Sequence, residues 1–226
     1  MIAIPALILS SLLALVLGTI MGYRKNTKLD SGITTGFIVL DAVPTFLLAM
    51  MLVTVFSFQL DIFPLGGLTS TNASSNGFFS FWDRVWHLIL PVLTVTLVST
   101  PNKYLLVRNS VAAAKEEKYV IYAKARGLST NRICFIHIFK NVCQSFIAMV
   151  GLNLGFLISG SMITEVIFSI HGMGSLIYDA AVFRDYPTLQ GCFFFIALLV
   201  ILGNILTDVI CILVDPRQRF GVNNET

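Results

Sequence analysis

Five apolar stretches, at roughly residues 2–22, 33–58, 87–107, 145–168 and 191–214, constrain this chain more than any other feature. Each is long enough to supply the roughly 20 helical residues that cross a bilayer. In hydrocarbon every backbone N–H and C=O must be bonded within the protein, which leaves only helices and closed barrels. Barrel strands need about 9–11 residues of alternating character, and these runs are longer and continuously apolar. They read as transmembrane helices, so the fold class is an all-α polytopic membrane protein with about five spans. The charged fraction of 12% agrees, being about half that of a soluble domain. No soluble domain, internal repeat or low-complexity tract interrupts the stretches, and residues 1–226 read as a single transmembrane domain.

The first stretch opens Met1-Ile2-Ala3-Ile4-Pro5, without a basic region ahead of it or a small-residue cleavage site before Tyr23. It therefore reads as a retained span rather than a signal peptide. Cys134, Cys143, Cys192 and Cys211 show no CxxC spacing and read as free thiols. His87, His137 and His171 are far apart, which gives no metal cluster. The tripeptide at 72–74 matches a glycosylation sequon but lacks the secretory context that would give it meaning.

Basic residues near span ends mark the cytoplasmic side. The first connection carries Arg24, Lys25 and Lys28. The third, 108–144, carries Arg108, Lys115, Lys118, Lys124, Arg126, Arg132 and Lys140, and the tail adds Arg217 and Arg219. With Lys103 at the end of its span, thirteen of fifteen lie on one side. The connections 59–86 and 169–190 hold only Arg84 and Arg184, beside Asp61, Asp83, Asp179 and Asp185. The basic loops and the C-terminus are expected inside and the N-terminus outside. The net charge of +3 thus reflects topology and implies no nucleic acid.

Ionisable groups inside spans are costly and mark candidate paths. Asp41 and Asp208 are the two candidates for a translocation path, with a polar packing contact to a neighbouring helix as the alternative for each. Pro44, Pro91 and Pro101 are expected to kink their helices or loosen backbone bonds. Gly151 and Gly155 have the spacing of close helix approach. Trp82 and Trp86 suit a membrane interface.

The most polar long stretch is "YAKARGLSTNRICFIHIFKN", residues 122–141. Good helix formers from Glu116 to Arg126 end in a basic turn that suits a negative helix terminus. Gly127 is expected as a left-handed C-cap. Ser129 or Thr130 is expected to cap a second helix containing Ile133, Phe135, Ile136 and Phe139. The predicted helix–glycine–helix elbow could dock on a protein or rest on anionic lipid headgroups, and residue types alone leave both open.

The same stretch resembles the cytoplasmic coupling loop of ABC importer permeases in its peptide-permease variant, at Ala123, Ala125, Gly127, Leu128, Ser129, His137 and Asn141, with Arg126 among them. "EVIFSIHGMGSLIYDAAVFRDYPTLQG" (165–191) resembles the external segment of the dipeptide, oligopeptide and nickel permeases, especially at Glu165, Phe168, Gly172, Gly174 and Arg184-Asp185-Tyr186-Pro187. "FPLGG" (63–67) is similar to their external loop, and "DPRQR" (215–219) to their C-terminal signature. The chain departs from the pattern at His171, where proline is usual, at Lys140, and at Ile121, where the broader motif has glutamate.

The resemblance implies a type I importer permease fold, half of a translocation path in the inner membrane of a prokaryote. Its implied partners are a homologous second permease subunit, two ATP-binding cassette ATPases and an extracytoplasmic solute-binding protein. ATP and Mg would be bound by the ATPases and no cofactor by this chain, which has no GxxxxGK[ST] loop. Ala123, Ala125, Arg126, Gly127, Leu128, Ser129, His137 and Asn141 would meet the ATPase; Gly66, Gly67, Gly172, Gly174, Arg184 and Asp185 would face the binding protein. Short peptides are the expected substrate, nickel or another chelated metal the alternative. Two rivals stand beside this reading: an intramembrane protease, for which Ser159-Gly160 supplies half a motif, and a scaffold subunit without a path. Because such permeases usually have six spans, residues 2–22 are expected to correspond to the second.

Overall fold

The computed structural model describes residues 1–70, 77–129, 132–152 and 154–214, and every regular element among them is helical. The sequon at 72–74 and the "DPRQR" signature lie outside the described residues. Helix α1 spans Ala3–Tyr23, α2 Lys28–Asp41 and α3 Thr45–Leu52, which continues as a π-helical segment Val53–Gln59. Helix α4 spans Gly77–Ala114 and α5 Lys118–Ala125. A π-helical segment Ile133–Ile138 leads into α6 Phe139–Leu152, followed by α7 Leu154–Ile167, α8 Met173–Val182 and α9 Tyr186–Val214.

Three of these helices, α1, α4 and α9, are single helices long and apolar enough to cross a membrane. The second apolar stretch is broken. Helix α2 stops at Asp41, and Pro44, with φ −58° and ψ 137°, starts α3. Proline disfavours helical backbone in the residue before it and lacks the N–H that would continue the ladder. The sequence expectation for Pro44 therefore holds. Pro91 and Pro101 sit within α4, which continues through both over 38 residues. The fourth stretch is helical on both sides of residue 153, which lies outside the described residues, as α6 and α7. Gly151 approaches α9 so closely that a Cβ would overlap Thr207, the close packing that its spacing predicts.

The chain separates into two compact units. One comprises Met1–Ser10, Val39–Ser99 and Phe156–Ala197. Its core gathers Ile2, Ala6, Ala49, Leu90, Val95 and Phe168. The other comprises Ser11–Ile38, Thr100–Gly155 and the chain from Leu198. Its core joins Ala14 and Met21 of α1, Tyr104, Val107 and Val111 of α4, Val120 and Ala123 of α5, and Ile133, Ile138, Val142 and Phe146 beyond. Small residues allow this packing: a Cβ on Gly18 would press on Val107, and one on Gly22 on the Arg108 carbonyl. Lipid tails are as apolar as leucine, so such close contact, rather than hydrophobicity, holds spanning helices together.

A polar cluster anchors the second unit where α1 turns into α2. Thr27 caps α2 through its hydroxyl, which accepts the Asp30 N–H at 3.2 Å. Asp30 reaches back to accept the Asn26 N–H at 3.0 Å, the reciprocal arrangement of a capping box displaced by one residue. Its carboxylate also takes two bonds from Arg108 of α4, at 2.8 Å from Nε and 2.6 Å from Nη2. Asp30 is 1% exposed, so the fork-to-fork geometry supplies the partner that a buried charge requires.

Candidate functional site

The elbow predicted from sequence is present in the second unit. Helix α5 follows Glu117, its N-cap residue in extended conformation, three residues after the end of α4. It ends in a Schellman motif: the Leu128 N–H donates to the Ala123 carbonyl at 3.3 Å and the Gly127 N–H to the Lys124 carbonyl at 2.9 Å. That motif requires a left-handed residue, and Gly127 has φ +75° with open space where a side chain would stand. Only glycine takes this backbone without a steric cost. The helix is shorter than the expected 116–126, because Glu116 and Glu117 are used in the turn that leaves α4. The Ser129 carbonyl accepts the Ile133 N–H at 3.0 Å, so the next helical segment does begin there. Thr130 lies outside the described residues.

The expected contact residues divide by exposure. Ala123 is buried and Leu128 half-buried, both packed into the core with α1 and α4. Ala125, Arg126, Gly127 and Ser129 are exposed. Beside them Ile121 and Tyr122 stand 56% and 67% exposed. The elbow thus has one face held by the core and another, mixed apolar and basic, that is exposed among the described residues. The backbone places His137 in the π-helical segment and Asn141 in α6; their side chains lie outside the described set. Cys134 is buried beside the Thr19 carbonyl, and burial pushes its thiol up from the ordinary 9.0.

The first unit assembles the other expected residues into a loop cluster. Glu165, near the end of α7, is the organiser. Its Oε2 accepts the Gly174 N–H at 2.8 Å and the Ser175 N–H at 3.1 Å, and its Oε1 the Ser161 hydroxyl at 3.1 Å. A carboxylate thereby caps the positive N-terminus of α8 from outside that helix. The two glycines exist for this approach: a Cβ on Gly172 would strike the Glu165 carboxylate, and one on Gly174 would overlap Met162 and approach Glu165 Oε2. The Ser175 hydroxyl accepts the Gly172 N–H at 2.8 Å and donates to its carbonyl at 3.0 Å. His171, which departs from the resembled pattern, is exposed.

Gly66 and Gly67 join the same cluster through Phe168. The Gly67 N–H donates to the Phe168 carbonyl at 2.8 Å with φ +83°, and a Cβ on Gly66 would lie 2.8 Å from that oxygen. Arg184 has φ +56° in the turn after α8. Asp185 caps α9 by accepting the Thr188 N–H at 3.2 Å and its hydroxyl at 2.5 Å. The Thr188 hydroxyl and N–H hold the Asp185 carboxyl below the ordinary 3.8.

Asp41 is the exposed last residue of α2, and Asp208 is exposed on α9 next to buried Thr207. Among the described residues no group of three or more His, Cys, Asp or Glu could hold a metal ion. Sequence reasoning missed the Asp30–Arg108 pair. The Thr27-x-x-Asp30 capping signal was available, but the arginine partner is 78 positions away.

The description of binding-protein-dependent transport system inner membrane components matches residues 14–220. The chain is 33% identical over 214 residues to the oligopeptide transport system permease protein AppB of Bacillus subtilis (strain 168), covering 94% of this chain and 66% of that protein. It is 33% identical to the inner membrane ABC transporter permease protein YejB of Escherichia coli O157:H7, over 93% of this chain and 60% of that one. With the di/tripeptide transport system permease protein DppB of Pseudomonas aeruginosa it shares 30% identity, over 96% and 69%. The chain therefore spans about two thirds of the length of these relatives. In fold it is similar to the MetNI methionine ABC transporter in inward-facing conformations, with a TM-score of 0.72 at 13% identity, covering 95% of this chain and 91% of that one.

Proposed function

The chain belongs to the family of binding-protein-dependent transport system inner membrane components, and from that membership we propose that it forms half of the translocation path of an ATP-driven importer of short peptides. The peptide class rests on the relatives AppB and DppB, whose names specify oligopeptides and di- or tripeptides. In this reading a homologous permease subunit supplies the other half of the path. Two ATPases bind ATP and Mg at the cytoplasmic surface, and an external solute-binding protein delivers the peptide. The basic loops and the C-terminus face the cytoplasm.

The observation that carries the proposal is the core shared by the elbow and the spans. Val120 and Ala123 of α5 pack in one cluster with Met21 of α1 and with Tyr104, Val107 and Val111 of α4. Close-packed interiors transmit displacement instead of absorbing it. A partner that holds the exposed face of α5 differently in its two nucleotide states would therefore move α1 and α4 with it. Only such differential contact can shift the equilibrium between outward and inward access. The loop cluster around Glu165, Gly66 and Gly67 is the corresponding candidate surface for the binding protein.

The test is peptide uptake and peptide-stimulated ATP hydrolysis by the complex carrying Gly127→Val or Gly127→Asn. Valine at positive φ costs on the order of 1–2 kcal/mol, whereas asparagine tolerates it. Valine is expected to uncouple hydrolysis from uptake with membrane insertion intact, and asparagine to remain near wild type. Normal coupled uptake by the valine variant would overturn the role of the elbow.

A further inference from the structure

Where α1 ends, a cleft of about 420 Å³ opens between the turn after Tyr23, the end of α4 and α5. Its walls carry Lys25, Lys115 and Lys124 against the single carboxylate of Glu116, with Ile121 as an apolar wall. Two of the ammonium groups converge on one aromatic ring. Lys115 Nζ lies 4.9 Å and Lys124 Nζ 5.8 Å from the Tyr23 ring centroid, both within cation–π range. Lys115 Nζ also donates to the Tyr23 carbonyl at 2.8 Å, which fixes it at the cleft wall. Like charges gathered this closely repel, and an anion seated among them would turn that repulsion into binding.

The position of the cleft along α1 points to the source of the anion. Helix α1 is apolar, with a mean hydropathy of 2.3 over an 18-residue stretch of Ala3–Tyr23, and Arg24 and Lys25 follow at once. That is the level at which hydrocarbon gives way to headgroups. Ile121, 56% exposed, places apolar surface beside the lysines, as acyl chains require and a soluble anion does not. Basic pockets at this depth suit anionic headgroups. We infer that this cleft binds the phosphate of an anionic phospholipid, with Lys25, Lys115 and Lys124 around the phosphate and the acyl chains against Ile121. The cleft shares Ile121 and Lys124 with α5, and lipid retention is read on the chain without an ATPase, so failure of this site and failure of the elbow's role are distinguishable.

The experiment is native mass spectrometry of the purified full chain equilibrated with equimolar phosphatidylglycerol and phosphatidylethanolamine. The wild-type protein is expected to retain phosphatidylglycerol preferentially. Lys25→Gln/Lys124→Gln should lower that retention roughly tenfold or more, while Lys28→Gln/Lys118→Gln, which removes two exposed lysines outside the cleft, should preserve it. The first pair leaves the Lys115–Tyr23 bond in place, and an unchanged melting temperature establishes that the variant is folded. If that pair melts lower, Lys124→Gln alone is measured, with a loss of about fivefold expected. Equal retention of the two lipids, or equal loss in cleft and control variants, overturns the site. A second arm adds inorganic phosphate. Displacement of the lipid by phosphate at equal concentration would identify a free-phosphate site and overturn the lipid assignment; undiminished lipid retention supports it.

Discussion

Glu165 shows what one residue does in this fold. It stands in the sequence as an isolated acid at the end of an apolar run, yet its carboxylate takes the two free N–H groups of α8 and the Ser161 hydroxyl. Glu165→Ala should leave those donors without a partner at a cost of about 1–3 kcal/mol. Glu165→Gln keeps an acceptor and loses only the charge facing the helix terminus, about 0.3–1 kcal/mol. Melting of the purified protein in detergent separates the cases: the alanine variant should melt clearly below the glutamine variant. Equal melting of both with wild type would remove Glu165 as the organiser of the loop. Gly174→Ala belongs to the same scale. Its Cβ would meet the Met162 backbone, which cannot move aside as a flexible side chain can, so a loss of about 1–3 kcal/mol is expected.

Between elements, the Asp30–Arg108 pair fixes α2 to α4. Removing one member of a buried pair leaves an uncompensated charge at a cost of about 3–5 kcal/mol; the Arg108 side chain is 15% exposed, so the lower end applies to Asp30→Asn. Replacing both, as Asp30→Leu with Arg108→Met, should recover much of the loss, because two well-packed apolar side chains need no partner. A double-mutant cycle on melting temperature measures the coupling, and additive single effects would show that the two side chains act independently. The elbow was legible at this scale because its signals are local. A basic turn, one glycine and a following serine predict a helix end through backbone chemistry that spans only six residues. The break at Pro44 was legible for the same reason.

For the whole molecule the decisive question is which connections face the cytoplasm. Arg126→Cys, at an exposed position of the elbow, should be shielded from an impermeant thiol reagent in intact cells and labelled in inverted vesicles. Phe183→Cys, at a position 80% exposed in the opposite loop class, should behave the other way. Native Cys134 adds little background, being 4% exposed with a thiol pushed towards its unreactive protonated form. Labelling of Arg126→Cys from outside would reverse the proposed orientation. The sequence alone determined the membrane class, the apolar segments and the sidedness expected of each connection, because hydropathy and charge bias are sums over neighbouring residues. It also located the elbow and the glycines of the loop cluster. Tertiary structure decided what those residues touch: Glu165 beneath Gly172 and Gly174, Phe168 against Gly66 and Gly67, Arg108 on Asp30, and Lys115 and Lys124 around Tyr23. Such contacts depend on the rotation and spacing of packed helices. In a bilayer those are set by side-chain fit between distant segments, for which neighbouring residues carry no signal.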